Sequence, residues 1–224
     1  MAGELRHVAF DIETTGFDVD DEVTVVGFDL ELGCRVFLQT GGRSHEECEA
    51  AVSDRADEHV KLSAYRSEAA LLDAVAEFAA ARLQSNDVLL VAYNGEVWRG
   101  GFDLPFLRTR FAAHDITWPF QDLPYADLLP IIRDQFNTTI DGEDSATLDT
   151  AYDALCDGAY GEFDPFHDSS EAVTAFEDGQ FADLVLHNVS DVLRTGQLSG
   201  LARRYCSKSD FNLKSLTPTS HEFG

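Results

Sequence analysis

The pattern of hydrophobic and polar positions divides the chain into a strand-rich beginning and a largely helical remainder. Residues 6–13 and the apolar runs 23–32 and 34–39 are short, rich in β-branched and aromatic residues, and separated by turn-forming sequence. They predict three consecutive antiparallel strands. From residue 44 to about residue 84 the apolar residues recur with a helical period, most clearly after Ser67, which is a suitable N-cap.

The remainder of the chain combines one more buried strand with helices. Residues 88–93 (VLLVAY) form a continuous apolar run, as expected for a strand covered on both faces. A helix is predicted to begin near Leu104, with Pro105 in its first turn, and further helical segments at 145–156 and 169–206. This order predicts an α/β fold with a mixed β-sheet, antiparallel in its first three strands and then parallel, flanked by helices on both faces.

Length and composition fit one globular domain. The chain has 224 residues, of which 44% are hydrophobic, and no stretch has the composition of a linker, so we expect a single domain over 1–224. No apolar run approaches the roughly 20 residues that span a bilayer. The four cysteines, at 34, 48, 156 and 206, form no CxxC pair. The sequence thus predicts a soluble, cytoplasmic protein without a membrane segment or a zinc site.

Two carboxylates share one face of the first predicted strand. Asp11 and Glu13 in FDIETTG are two positions apart, so their side chains point to the same face while Phe10 and Ile12 point to the other. A solvent-facing edge strand would explain such a pair, but the apolar residues around it indicate a central strand. Because buried acids require a partner, the pair is a candidate half of a cation site.

Two further acidic motifs follow along the chain. Asp103 directly precedes the helix predicted from Leu104, where an Asp also serves as an ordinary helix cap. His187 and Asp191 in HNVSD are four positions apart on a helical stretch, so they lie on one face, a single turn apart. Each motif taken alone has a structural explanation, since lone His and Asp residues on helices are usually hydrogen-bonded or solvated.

The order of the three motifs resembles the DEDD superfamily of 3′-to-5′ exonucleases, within the ribonuclease H-like fold. The resemblance covers about residues 6–200, and FDIETTG is its most specific part, followed by FDLPFLRTR and then HNVSD. The chain departs from the usual pattern twice. Asn94 and Asp103 are nine positions apart, which makes GEVWRGG an inserted loop, and the spacing of His187 and Asp191 is that of members with Tyr at the first position. The pattern is closer to a ribonuclease H-like branch, often joined to helicase or nuclease domains, in which HNxxD or YNxxD occurs.

The resemblance implies a metal-dependent nuclease that acts on DNA or RNA. It makes Asp11, Glu13, Asp103 and Asp191 the ligands of two divalent ions, Mg²⁺ or Mn²⁺, with Asp11 as the bridging ligand. Hard oxygen ligands favour these ions over zinc, and such a pair can activate water and stabilise the leaving 3′ oxygen. A neutral His187 would accept the proton of that water. The candidate substrate-binding residues are Thr14, Asn94, Trp98, Arg99 and Arg108.

Two alternatives stay open at this point. The same fold also fits a structure-selective endonuclease, and the unusual third motif also fits an inactive metal-binding scaffold domain. Four basic residues near the end of the chain discriminate between a nuclease and a scaffold: Arg203, Arg204, Lys208 and Lys214. Beside the acidic motifs they would contact substrate, whereas a position on the far side would favour the scaffold.

The charge of the chain is unusual for a protein that binds nucleic acid. Its formal net charge is -25, with lysine only at positions 61, 208 and 214, whereas such proteins tend to be basic. Acid excess with scarce lysine resembles proteins of halophilic cytoplasm, such as that of halophilic archaea, where molar salt shortens the Debye length to roughly 3 Å. A basic partner or calcium is the alternative, although no stretch matches the EF-hand calcium loop.

We expect the protein to need salt for stability. Unscreened repulsion among its surface carboxylates opposes the compact state, and added salt weakens that repulsion. The melting temperature should therefore rise as potassium chloride increases from about 0.1 M to about 2 M. A melting temperature that stays flat over this range would contradict the expectation.

Overall fold

A computed structural model describes residues 5–84, 87–96, 102–156, 158–168 and 170–220. Within these residues the fold is α/β, with a mixed seven-stranded sheet in the order β4-β3-β2-β1-β5-β6-β9 and a separate two-stranded ribbon, β7-β8. The strands are β1 (Arg6–Thr14), β2 (Val23–Leu30), β3 (Gly33–Gln39), β4 (Val60–Tyr65), β5 (Val88–Ala92), β6 (Pro124–Asp127), β7 (Thr139–Ile140), β8 (Glu143–Asp144) and β9 (Lys214–Ser215).

Helices cover both faces of the large sheet. In the described part of the chain they are α1 (Cys48–Ala56), α2 (Glu68–Phe78), α3 (Asp103–Ala113), α4 (Leu128–Gln135), α5 (Leu148–Leu155), α6 (Ser170–Asp178) and α7 (Phe181–Tyr205). Helix α2 continues into a short π-helical turn, Ala79–Leu83, and Ser67 caps its beginning by accepting a hydrogen bond from the backbone of Ala70. None of these helices is both long and apolar enough to cross a membrane.

The strand pairing confirms the predicted mixed sheet. Strands β1, β2 and β3 are antiparallel neighbours, and β5 and β6 then continue the sheet in parallel from β1. The prediction of uninterrupted helix over 44–84 is wrong, because β4 separates α1 from α2 and pairs in parallel with β3. Buried Val60 and Leu62 flank exposed Lys61, a short alternation that the surrounding helical pattern conceals.

Strand β1 lies near the centre of the sheet and separates two apolar layers. Phe10 and Ile12 pack with the buried residues of α2 and α3, whereas α7 crosses the opposite face and contacts β1 and β2. Asp11 and Glu13 therefore face α7. The pairing of β1 with β2 shifts register between Glu13 and Thr14, an irregularity that bends a strand locally and often occurs beside functional sites.

A buried ion pair ties α2 to α3 and to the beginning of β2. Glu68 is 2% exposed and accepts two hydrogen bonds from the Arg110 guanidinium, at 2.8 and 2.7 Å. It also accepts the backbone N–H of Val23 at 2.8 Å and contacts the His114 ring at 2.6 Å. The network holds α3, which begins at Asp103, in a fixed position against the sheet.

Replacing Glu68 with Ala should lower the free energy of unfolding by about 3–5 kcal/mol, because Arg110 would keep a buried, unpaired charge. Glu77→Ala, an exposed position of the same helix, is the matched control and should change stability by less than about 0.5 kcal/mol. Chemical denaturation at neutral pH measures both. Equal losses for the two variants would show that the pair does not hold α3.

The same pair should give an acid-dependent stability. Although burial favours the neutral acid, hydrogen bonds from Arg110, Val23 and His114 lower the pKa of Glu68 below its ordinary value. A carboxylate whose pKa is lowered by folding stabilises the protein above its unfolded pKa, and loses that effect as the pH falls through its folded pKa. The stability gap between wild type and Glu68→Ala should therefore narrow as the solution is acidified below the ordinary pKa of Glu68.

Candidate functional site

Five of the side chains selected from the sequence line one cleft. Asp11, Glu13, Asp103, His187 and Asp191 surround a space of about 410 Å³ at one edge of the sheet. They come from three elements, β1, the first residue of α3, and α7. Because β1 and β5 are parallel, Glu13 near the end of β1 and the loop that follows β5 reach the same edge. The sequence-distant acids therefore share one cleft.

Asp103 is placed by the way α3 begins. Phe102 donates its backbone N–H to Asn94 O at 3.1 Å, and Leu104 donates to Gly95 O at 2.9 Å. Phe102 occupies the N-cap position and no side chain caps the helix, so the carboxylate of Asp103 does not serve as the cap. A Cβ at Gly95 would lie 2.8 Å from Oδ2 of Asp103, so glycine at that position makes room for the carboxylate.

Burial, and then crowding of the carboxylates, raises their pKa values. Burial raises the pKa of Asp11 well above its ordinary value, and the charges of Glu13, Asp103 and Asp191 raise it further. Burial and then Glu13, Asp127 and Asp191 do the same to Asp103. The pKa of Glu13 rises to about 7, chiefly through burial. Three acids with raised pKa values form a site that favours protons or a cation.

Asn188 is a site residue that sequence reasoning passed over. Its Nδ2 donates a hydrogen bond to Oδ2 of Asp11 at 2.9 Å, its side chain is fully buried, and its Oδ1 has no partner among the described residues. Asn188 fits here because it packs on Gly27 of β2, where an added Cβ would lie 2.0 Å from its Oδ1. The motif HNVSD could have identified it, because Asn188 directly follows His187 there.

His187 is held by an acid that the sequence analysis did not select. Its Nδ1 lies 2.9 Å from Oδ1 of Asp164, in the loop before α6, and its Nε2 lies 3.8 Å from Oδ2 of Asp191. Potential ligand atoms of Asp164, His187 and Asp191 lie within 4.8 Å of one another. Asp164 stands in an irregular segment, where no periodic pattern distinguishes it from other acids. The hydrogen bond to Asp164 fixes the orientation of the imidazole ring.

Asp164 and Asp191 are both paired with the cationic side chain of Arg194. Nη1 of Arg194 lies 2.9 Å from Oδ2 of Asp164 and 2.8 Å from Oδ1 of Asp191. Burial opposes a charge on His187, yet Glu13, Asp164 and Asp191 together raise its pKa to about 10. These carboxylates favour the protonated ring, so the neutral imidazole at His187 stays a prediction for the site with a bound cation.

The oxygen-rich half of the cleft fits a hard divalent cation. Asp11, Glu13 and Asp103 offer carboxylate oxygens, the donors that Mg²⁺ and Mn²⁺ prefer. The charges that act on Asp11 and Asp103 are those of other carboxylates, which leaves the negative charge of these two acids uncompensated, whereas Glu13 also faces the charge of His187. The fourth predicted ligand differs, since Asp191 already accepts a hydrogen bond from Arg194.

The three predicted substrate-binding residues that the structure describes do not lie together. Thr14 lines the cleft, and its hydroxyl donates to Gly16 O at 2.8 Å. Asn94 is exposed and adopts a positive φ of 61°, with its backbone N–H bound to Asp127. The guanidinium of Arg108 lies over the ring of Trp118, in a separate groove against the C-terminal segment. Trp98 and Arg99 lie outside the described residues.

The four basic residues near the end of the chain do not line the cleft either. Arg203 and Arg204 belong to the last turn of α7, twelve positions beyond Asp191, which corresponds to about 18 Å along a helix. Lys214 in β9 pairs with Glu96, and Lys208 is exposed after the end of α7. The positions of Arg203 and Arg204 favour the scaffold alternative, whereas Lys214 pairs with the residue that follows Gly95, close to Asp103.

Comparison of the chain with protein-family models and with curated proteins gave no match. The resemblance to the DEDD superfamily is therefore carried by the sequence motifs alone and stays a prediction.

Replacing Asp103 with Asn should stabilise the cation-free protein. The change removes one of the mutually repelling buried carboxylates, so we expect a gain of about 1 kcal/mol, or a melting temperature higher by about 2–4 °C. Asp73→Asn, on the exposed face of α2, is the control and should leave the melting temperature unchanged. With Mn²⁺ present the wild type should have the higher melting temperature of the two, because it gains stability by binding the ion. A lower melting temperature for Asp103→Asn in the presence of a chelator would contradict the repulsion argument.

Proposed function

We propose that the chain is a metal-dependent nuclease of the ribonuclease H-like, DEDD type, which hydrolyses phosphodiester bonds of DNA or RNA from the 3′ end. One observation carries the proposal. The acids of three motifs, which occur in the order typical of that superfamily, line a single cleft together with His187. The strand directions agree with the fold that the resemblance implies, since three antiparallel strands are followed by parallel ones.

The residues of the cleft divide the chemistry between them. Asp11, Glu13 and Asp103 would hold Mg²⁺ or Mn²⁺, which when bound supplies Lewis acidity that lowers the pKa of water and stabilises charge on the phosphate. Asp164 holds Nδ1 of His187, so Nε2 faces the cleft and Asp191. The charge of Glu13 contributes to the raised pKa of His187, so a cation that compensated Glu13 would favour the neutral ring. The neutral ring could then accept the proton of the attacking water.

Aromatic side chains at the cleft suit a nucleobase. Phe17 is 66% exposed, lines the cleft beside Thr14, and packs edge-to-face on Phe102 with the ring centroids 5.1 Å apart. An exposed phenyl ring beside a phosphate-cleaving centre provides a stacking surface, and stacking on a base tolerates any sequence. This arrangement favours a single-stranded or frayed end, whose terminal base is free to stack.

A scaffold role is the second candidate function, and the position of the basic residues favours it. Arg203, Arg204, Lys208 and Lys214 are not among the residues that line the cleft, so they do not provide it with a basic lining for a polyanion. A nuclease with this charge distribution requires high salt or bound cations to bring a phosphate backbone to Asp11 and Glu13. Under the scaffold alternative the domain binds a divalent ion but does not cleave.

An assay of end-labelled single-stranded and double-stranded DNA and RNA in molar potassium chloride with Mn²⁺ tests the proposal. We expect stepwise shortening from the 3′ end, its loss in Asp11→Asn, and turnover lower by about 10²–10⁴ in a folded His187→Ala variant that still binds Mn²⁺. A closed circular substrate separates exonuclease from endonuclease action, because only an endonuclease cuts it.

The outcomes distinguish the candidates. Binding of Mn²⁺ without cleavage of any substrate would support the scaffold, and cleavage of circles would replace the exonuclease by an endonuclease. Wild-type turnover in His187→Ala would remove His187 from the mechanism. Glu77→Ala is the control for nonspecific effects of the substitutions, since Glu77 is exposed on α2, away from the cleft.

A further inference from the structure

Arg194 occupies a place in the cluster that a cation would otherwise fill. Its Nη1 lies between two carboxylates, 2.9 Å from Asp164 and 2.8 Å from Asp191. Asp164 in turn accepts a hydrogen bond from Nδ1 of His187 at 2.9 Å. Two acids and two basic side chains thus compensate each other within this half of the site.

The position of Arg194 is set by the backbone and by burial. It follows Asp191 by three positions on α7, so the two side chains are neighbours on one face. The Arg194 side chain is 10% exposed, and its Nε is buried without a partner among the described residues. A guanidinium in such a place depends on its ion pairs, because loss of either carboxylate would leave a buried charge poorly compensated.

The loop that carries Asp164 is fastened to α7 around Arg194. Ser190 donates its hydroxyl to Tyr160 O at 2.6 Å, and the ring of Phe166 lies 5.2 Å from that of His187. A Cβ at Gly161 would come within 3.3 Å of Nη2 of Arg194, so the loop backbone closes on the guanidinium. Release of Asp191 from Arg194 would therefore require a rearrangement of packed groups, in addition to a side-chain rotation.

The acids of the cleft differ in how their negative charge is compensated. Oδ1 of Asp191 is bound to Arg194 and its Oδ2 faces Nε2 of His187 at 3.8 Å. Asp11, in contrast, receives a hydrogen bond from the neutral amide of Asn188, and the charges acting on Asp103 are those of Glu13, Asp127 and Asp191. Uncompensated negative charge is thus concentrated at Asp11 and Asp103, whereas Glu13 also faces the charge of His187.

We propose that Arg194 takes the place of one of the two divalent ions implied by the family resemblance, so that the site binds a single Mg²⁺ or Mn²⁺ through Asp11, Glu13 and Asp103 while Asp191 stays paired with Arg194. The inference rests on the proposed function. It changes the role of Asp191 from metal ligand to partner of Arg194 and His187.

The stoichiometry of Mn²⁺ binding tests the inference without any activity measurement. Isothermal titration of the full chain in molar potassium chloride, with free Mn²⁺ followed by electron paramagnetic resonance, should give one tightly bound ion per chain. Arg194→Met, which keeps much of the side-chain volume and removes the charge, should bind two. Arg204→Met, at the exposed end of the same helix, is the matched control and should bind one.

Two further variants keep the test decisive if Arg194→Met does not fold. Asp191→Asn should change the Mn²⁺ dissociation constant by less than about 3-fold, whereas Asp103→Asn should weaken binding by at least about 10-fold, as expected for loss of a group essential to a metal site. Thermal melts without metal establish that each variant is folded before it is titrated.

Each result separates this inference from the proposed function. Two tightly bound ions in the wild type, or equal weakening by Asp191→Asn and Asp103→Asn, would overturn the role of Arg194 and leave a metal-dependent nuclease intact. A single ion in folded Arg194→Met would also overturn it. Absence of Mn²⁺ binding in the wild type would overturn the metal-dependent function itself.

Discussion

The concentration of negative charge in a partly buried cleft is the constraint on which the rest of the site depends. Asp11, Glu13, Asp103 and Asp191 belong to three elements, and burial raises the pKa of each. The protein compensates this charge unevenly. Arg194 and His187 serve the side of Asp164 and Asp191, whereas Asp11 receives the amide of Asn188. Only carboxylates and the Asn188 amide act on Asp11 and Asp103, so a divalent cation gains most from binding beside these two acids.

Repulsion among the carboxylates of the cleft would separate β1, α3 and α7 if packing of the core did not oppose it. Helix α7 packs across β1 and β2 through Val185, Val189 and Val192, which lie in one apolar cluster with residues of β2 and β3. On the opposite face, the Glu68–Arg110 pair fixes α3 against α2 and the start of β2. Burial of apolar surface and this ion pair hold the carboxylates close together, so the stability of the core sustains an arrangement that is unfavourable by itself.

Sequence periodicity predicted the elements that position the site, and it failed where structure is local or irregular. Asp11 and Glu13 were assigned to one face because strand geometry alternates, and His187 and Asp191 because a helix repeats after about four positions.

Strand β4 was missed because VKLSAY is too short to interrupt the helical pattern on either side. Asp164 was missed because its role arises from the docking of a loop on α7, which leaves no periodic trace. Helix periodicity places Arg194 beside Asp191, three positions earlier, but its pairing with Asp164 depends on the tertiary structure.

Salt and bound cations act on different parts of this charge distribution. Mobile ions screen exposed carboxylates over distances beyond the Debye length, but they screen buried pairs much less. Molar potassium chloride can therefore weaken the repulsion among exposed carboxylates of a chain whose net charge is -25. It leaves the repulsion among Asp11, Glu13 and Asp103 nearly unchanged. Relief inside the cleft requires a proton, a hydrogen-bond donor such as Asn188, or an ion small enough to lie among the oxygens. A chain this acidic can thus tolerate a carboxylate cluster in high salt and still depend on a divalent cation, because surface screening does not replace coordination within the cleft.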